Sequence, residues 1–112
     1  MRVRVLDAQP VLAEHIWLPL TRFRALLDIN LDQEGQLLYP IYEKACGQVV
    51  AYAEETLTAE SVDEVHAGLL QVPVDSPVMV IERLARDCAG TPLEWRCSRG
   101  AAELFRYHVD IR

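Results

Sequence analysis

The sequence predicts an α+β domain in which helices pack on an antiparallel sheet. A hairpin pattern with period-2 alternation appears near each end of the chain, and the segments between carry apolar residues at helical spacing. The resulting order is ββ, α, α, β, α, βββ. With 112 residues, 51% hydrophobic and 25% charged, the chain suits one domain with a single core.

The first hairpin comprises Arg2-Val3-Arg4-Val5-Leu6, a turn at Asp7-Ala8-Gln9-Pro10, and Val11 through Leu18. Pro19 ends that strand, and Leu20 to Leu27 has helical spacing with Thr21 as its cap. A polar loop spans Asn30 to Gly35. Leu37, Leu38, Ile41, Tyr42 and Ala45 then share one helical face, with Pro40 near the helix start and Gly47 as its stop.

Gln48 to Thr58 reads as a strand, opened by Val49, Val50 and Tyr52. Thr58-Ala59-Glu60-Ser61 is expected to begin a helix, with Thr58 or Ser61 as cap and Val62, Val65, Leu69 and Leu70 as its apolar stripe. After a turn at Asp75-Ser76-Pro77 comes the second hairpin: Val78 to Arg86, a turn from Asp87 to Pro92, and Leu93 to Cys97. Leu104 to Ile111 alternates as a closing strand.

Several function classes are disfavoured. A net charge of −6, with Lys44 the only lysine, argues against nucleic-acid binding by this stretch alone. No apolar run approaches the roughly 20 residues of a membrane span and no signal-peptide pattern opens the chain, so the expected location is cytoplasmic. Cys46, Cys88 and Cys97 show neither disulfide nor zinc spacing, His15, His66 and His108 no ligand spacing, and Ser61, Ser76 and Ser98 no nucleophile context. No metal or cofactor is expected. Glu54 and Glu55 point to opposite faces of their strand, and Trp17 and Trp95 are expected to pack.

The hairpins hold the chemistry. With an odd number of unpaired turn residues Arg4 lies across from Glu14 and Arg2 shares their face; an even loop sends them to opposite faces. By the same arithmetic Arg86 lies opposite Glu94 about a centre at Gly90. Arginine forks match carboxylate and phosphate oxygens, and a glutamate accepts from hydroxyls or amines, so such a face selects a small polar anion. The bland alternative is a set of surface salt bridges worth about 0–1 kcal/mol each.

The whole chain resembles the UTRA domain, the effector-binding domain of GntR-type bacterial transcription regulators of the HutC subfamily. The resemblance runs through Pro10 to Pro19, Leu38 to Gly47, Ala53 to Ala59, Pro77 to Arg83 and Pro92 to Trp95, in that order. It implies a chorismate-lyase-like fold, a homodimer, and a small polar or anionic metabolite whose binding alters DNA binding by a separate winged-helix domain. The chain starts later than such domains do, so residues 1–112 are expected to be a UTRA-like domain partial at its N-terminus, without the winged helix.

In sugar-phosphate-sensing members, ligand is held by two arginines one residue apart, a glutamate ten residues later and a glutamate in the last hairpin. The resemblance carries those roles onto Arg2, Arg4, Glu14 and Glu94, with Ser98 in the stretch that follows. One departure stands out: Gly100 occupies a place where a ligand-touching tyrosine is expected, which weakens the phosphosugar expectation. Two other readings are a small lyase-like enzyme on the same fold, using Glu14 and Glu94 as acid and base, and a stand-alone dimerisation module.

Overall fold

The structure is a computed structural model that describes residues 2–6, 9–31 and 37–112. Five antiparallel strands form one sheet: β1 (Arg2–Leu6), β2 (Gln9–Trp17), β3 (Tyr52–Ser61), β4 (Pro77–Arg86) and β5 (Pro92–Ala101). Their spatial order is β1-β2-β5-β4-β3. The two hairpins therefore meet at the sheet centre through β2 and β5, from Ala13↔Arg99 to Trp17↔Trp95. Among the described residues three helices complete the fold: α1 (Leu20–Phe23), α2 (Leu38–Cys46) and α3 (Glu64–Leu70).

Each face of the sheet has its own core. On one, α3 closes a cluster of Ala13, Val62, Ala67, Leu70 and Val78. On the other, α1, the 3₁₀ turn Arg24–Asp28 and α2 close a cluster of Phe23, Leu26, Leu38, Tyr42 and Leu93. This second face carries Glu14, Arg96 and Ser98, so the helices that bury its apolar half also wall in its polar half.

α2 begins and ends where its sequence dictates. Pro40 is its third residue, where its missing N–H is no loss, and Gly47 caps the end at φ 65°. The preceding helix is shorter than the spacing predicts: four α-helical residues pass into the 3₁₀ turn, and Pro19 rather than Thr21 is the N-cap. The turn residues Asp7 and Ala8, and most of the Asn30–Gly35 loop, lie outside the described residues; Gln9 and Pro10 belong to β2.

Two expectations about elements are corrected. β3 does not give way to a helix at Thr58; it pairs with β4 through Ser61↔Pro77. The helix starts later, capped by Asp63, whose carboxylate accepts from the His66 N–H at 2.8 Å. Ten residues of β4 are available as partners, and cross-strand pairing outweighs a local capping signal. The second correction is the closing strand: Ala102–Leu104 is a 3₁₀ turn, and residues 105–112 form no strand. Their alternation is genuine, but it has no partner strand among the described residues.

Among the described residues no helix is long and apolar enough to cross a membrane, and no cluster of three or more His, Cys, Asp or Glu is arranged to hold a metal ion. Cys46, Cys88 and Cys97 are free thiols.

Candidate functional site

Register decides which charges meet. In the first hairpin Arg2 lies opposite Glu14 and Arg4 opposite Leu12, with a bulge between Arg4 and Val5. Leu6 pairs with Gln9, so the loop is even and would separate the charges; the bulge shifts the register by one residue and returns Arg2, Arg4, Leu12 and Glu14 to one face, with Arg2 rather than Arg4 as the direct partner of Glu14. Arg4 reaches Glu14 diagonally, its Nε 3.9 Å from Oε1. In the second hairpin Glu94 lies opposite Ala85, and Arg86 opposite Pro92 after a bulge. Arg86 and Glu94 therefore point to opposite faces, and the expected pair does not form. Arg86 donates instead to the Gly90 carbonyl at 2.9 Å.

The partner of Glu94 is on its own strand. Residues two apart on β5 share a face, which brings Glu94, Arg96 and Ser98 together. Arg96 grips Glu94 with a two-pronged fork, Nε to Oε1 at 2.9 Å and Nη2 to Oε2 at 2.8 Å. Its Nη1 donates to Glu14 Oε2 at 3.2 Å, and Ser98 Oγ donates to the same oxygen at 3.1 Å. The Tyr42 hydroxyl donates to Glu94 Oε2 at 2.5 Å. One chain of hydrogen bonds therefore ties α2 to β5 and β2.

This network is inside the protein. Glu14 and Glu94 are each 1% exposed and Arg96 9%. Burial alone would lower the Arg96 value, but its hydrogen bonds to Glu94 and the charges of Glu94 and Glu14 outweigh it and hold the guanidinium above its ordinary range. Burial, then the hydrogen bond to Glu94 and the negative charge there, push the Tyr42 phenol well above its ordinary value. Both groups are thereby locked in their protonated forms at neutral pH.

One atom stands out. Glu14 Oε1 is buried and accepts no hydrogen bond among the described residues. Arg4 and Arg96, the two arginines that reach Glu14, also line a cleft of about 340 Å³ together with Leu37, Leu38, Tyr39, Pro40 and Arg83. Arg83 comes from β4, directly across from Arg96, and donates to the Tyr39 hydroxyl at 3.2 Å and to Glu55 at 2.7 Å. The Arg96 guanidinium sits 5.8 Å from the Tyr39 ring centroid, a cation–π contact.

Of the five residues marked by sequence, Arg4 and Ser98 reach the Glu14 carboxylate, Arg2 is paired with Glu14 in the register, and Glu94 joins them through Arg96. Arg96, Arg83, Tyr39 and Tyr42 escaped the sequence reading. The signal for Arg96 is present in the alternation Glu94-Trp95-Arg96-Cys97-Ser98, which puts acid, base and hydroxyl on one face. Gly100 also has a visible reason: a Cβ there would come within 2.5 Å of the Phe105 ring and 2.7 Å of the Val11 carbonyl oxygen. The ring of Phe105 fills the space beside that glycine.

An α+β sheet with a walled-in polar network at its centre defines a small ligand-pocket architecture, and comparison with known proteins gives it a family. The UTRA domain model matches residues 1–106, and the chain belongs to the UTRA domain family. Solved structures share the fold. The C-terminal domain of Yurk from Bacillus subtilis superposes with a TM-score of 0.87 at 14% identity, over 98% of this chain and 74% of that one. A GntR-family transcriptional regulator from Enterococcus faecalis gives 0.78 at 16% identity, over 97% and 76%. The effector domain of PhnF from Mycobacterium smegmatis gives 0.79 at 22% identity, over 95% and 64%.

Proposed function

We propose that this chain is the effector-binding domain of a HutC-type GntR transcription regulator. A small polar or anionic metabolite enters the cleft, and a separate winged-helix domain outside this chain contacts DNA, in the cytoplasm. Arg2 and Arg4 meet ligand charge, Glu14 offers its open oxygen to a ligand donor, and Glu94 and Ser98 hold Arg96 and Glu14 in place. The observation that carries this reading is the buried Glu14 Oε1, which accepts no hydrogen bond among the described residues and is reached by Arg4, one of three arginines that line the cleft. Such an acceptor is costly unless a ligand uses it.

The mechanism is a population shift: effector binds one arrangement better and biases how the paired DNA-binding domains are held. Catalysis fits the geometry less well, because both oxygens of Glu94 are committed to Arg96 and Tyr42 and only Glu14 retains capacity. The test is calorimetric titration of the intact regulator with small organic acids and phosphosugars, alongside operator binding by anisotropy. Saturable binding that changes operator affinity is expected; a regulator whose operator affinity responds to none of them sinks the reading.

A homodimer completes the proposal, with β3 as the contact. All ten residues of this edge strand are exposed, among them Leu57 at 56%. Long exposed edges invite pairing. A two-fold axis between Thr56 and Leu57 sets Glu54, Glu55 and Glu60 against Ala59, Thr58 and Ala53 of a second copy, avoiding like-charge pairs. Leu57→Glu places two new carboxylates beside that axis and is expected to shift the dimer to monomer in sedimentation analysis; an unchanged dimer places the contact elsewhere.

A further inference from the structure

We propose that the contact between His15 and His66 is an acid-sensitive latch that holds α3 on the sheet, and that a second positive charge on this pair releases the helix. The latch lies on the α3 face, away from Glu14 and Arg96, and does not depend on the effector reading above.

Two elements meet at the latch. His15 stands on β2 next to Glu14, so it points to the other face of the strand, and His66 is the third residue of α3. Their ring centroids are 5.5 Å apart, with the planes at 62°. Seven residues make a helix too short to persist alone, so α3 depends on what it packs against. Asp63 caps it and also fixes the His66 ring, its carboxylate lying 2.8 Å from Nδ1. The neutral ring then carries its hydrogen on Nδ1 and leaves a lone pair on Nε2. Nε2 is buried and has no hydrogen-bond partner among the described residues. A hydrogen there would be a buried donor without an acceptor, which costs free energy.

The surroundings do little to offset a second charge. On α3, Asp63 is engaged by His66, and Glu64 is exposed. On β3, Glu60 is taken by Arg99, whose Nε donates to Oε1 at 2.5 Å. On β5, the residue opposite His15 is the buried thiol Cys97, with the cation Arg99 two residues further on. On β4, Glu82 is exposed and lies opposite Cys97 rather than His15. Along its own strand His15 stacks on Trp17, with centroids 5.6 Å apart. Burial, then the charges of His66, the chain's amino terminus and Arg99, hold the His15 imidazole below its ordinary value of 6.5. The unfolded chain therefore takes up this proton first. Stability from neutral His15 is full above about pH 6.5 and is lost as pH falls below it. Because β3 continues into α3 through Val62 and Asp63, release of the helix reaches the end of that edge strand.

The experiment follows this chain from about pH 7.5 to about pH 5, the range in which histidine titrates. Amide hydrogen exchange of α3, corrected for the intrinsic rate, and tryptophan emission are measured on the native sequence, His15→Gln and His108→Gln, with circular dichroism to verify folding. Native α3 amides are expected to exchange tenfold or more faster at the acid end, and emission to change with them because Trp17 lies against His15. His15→Gln keeps a polar side chain that cannot gain a charge, so α3 should stay protected and emission flat. His108→Gln, at an exposed position, should follow the native profile. Acid release that survives His15→Gln overturns the latch. So does native α3 exchange that is the same at both ends of the range, or a response that His108→Gln removes.

Discussion

The two hairpins share a sequence pattern but differ in how tightly their charges are held. In β4–β5 the Glu94–Arg96 pair is saturated: Glu94 takes two bonds from Arg96 and one from Tyr42, and both residues are buried. In β1–β2 the contact between Arg4 and Glu14 is long, Arg4 is partly exposed, and one carboxylate oxygen has no hydrogen bond among the described residues. A closed network fixes geometry, whereas an open one leaves free energy for a ligand to claim. The second hairpin is thus a scaffold, and the first is the responsive half of the site.

The largest effect that can break this contrast comes from removing Arg96. Arg96→Met leaves Glu94 and Glu14 buried with no cation between them, and loss of one partner of a buried ion pair costs about 3–5 kcal/mol. Chemical denaturation should show that loss, and Glu94→Gln added to Arg96→Met should return part of it. A cost below 1 kcal/mol means that water reaches the network and that it is no scaffold.

A smaller effect belongs to Tyr42. Tyr42→Phe removes a hydrogen bond to a charged acceptor, worth about 1.5–3 kcal/mol, while leaving the fork intact. It also has a pH signature. The phenol is raised above its ordinary value of 10.0, so the unfolded chain releases this proton first. The stabilisation is full below pH 10 and is lost as pH rises beyond it. Denaturation midpoints between pH 8 and 11 should fall more steeply for the native chain than for Tyr42→Phe; parallel curves would remove Tyr42 from the network.

How much of this was legible in the sequence follows the range of the forces involved. α2 was readable because Pro40 and Gly47 act on their own neighbours, and so was the Asp87–Pro92 turn, which Asp87 closes by accepting from Ala89 and Thr91. The β3–α3 boundary was misread because ladder partners on β4 lie far along the chain and override Thr58 and Ser61 as caps. Face assignment failed for Arg86 because the register of β4 on β5 differs by one residue from a centre at Gly90, and a one-residue change inverts a face. The apolar alternation of Phe105, Tyr107, Val109 and Ile111 signals a strand, but no sequence signal says whether a partner strand exists.

The smallest stability effect sharpens the comparison most. Arg4→Gln removes a long, partly exposed ion pair, and such pairs contribute about 0–1 kcal/mol. Glu14 keeps its bonds from Arg96 and Ser98, so the melting temperature should stay close to that of the native chain. Effector affinity should nevertheless fall by tenfold or more, because Arg4 faces the cleft and is the least committed of its three arginines. A residue that matters little for stability and greatly for binding is what an open half of a site requires. If Arg4→Gln instead destabilises the chain as much as Arg96→Met, the first hairpin is as locked as the second and the division between scaffold and responsive half fails.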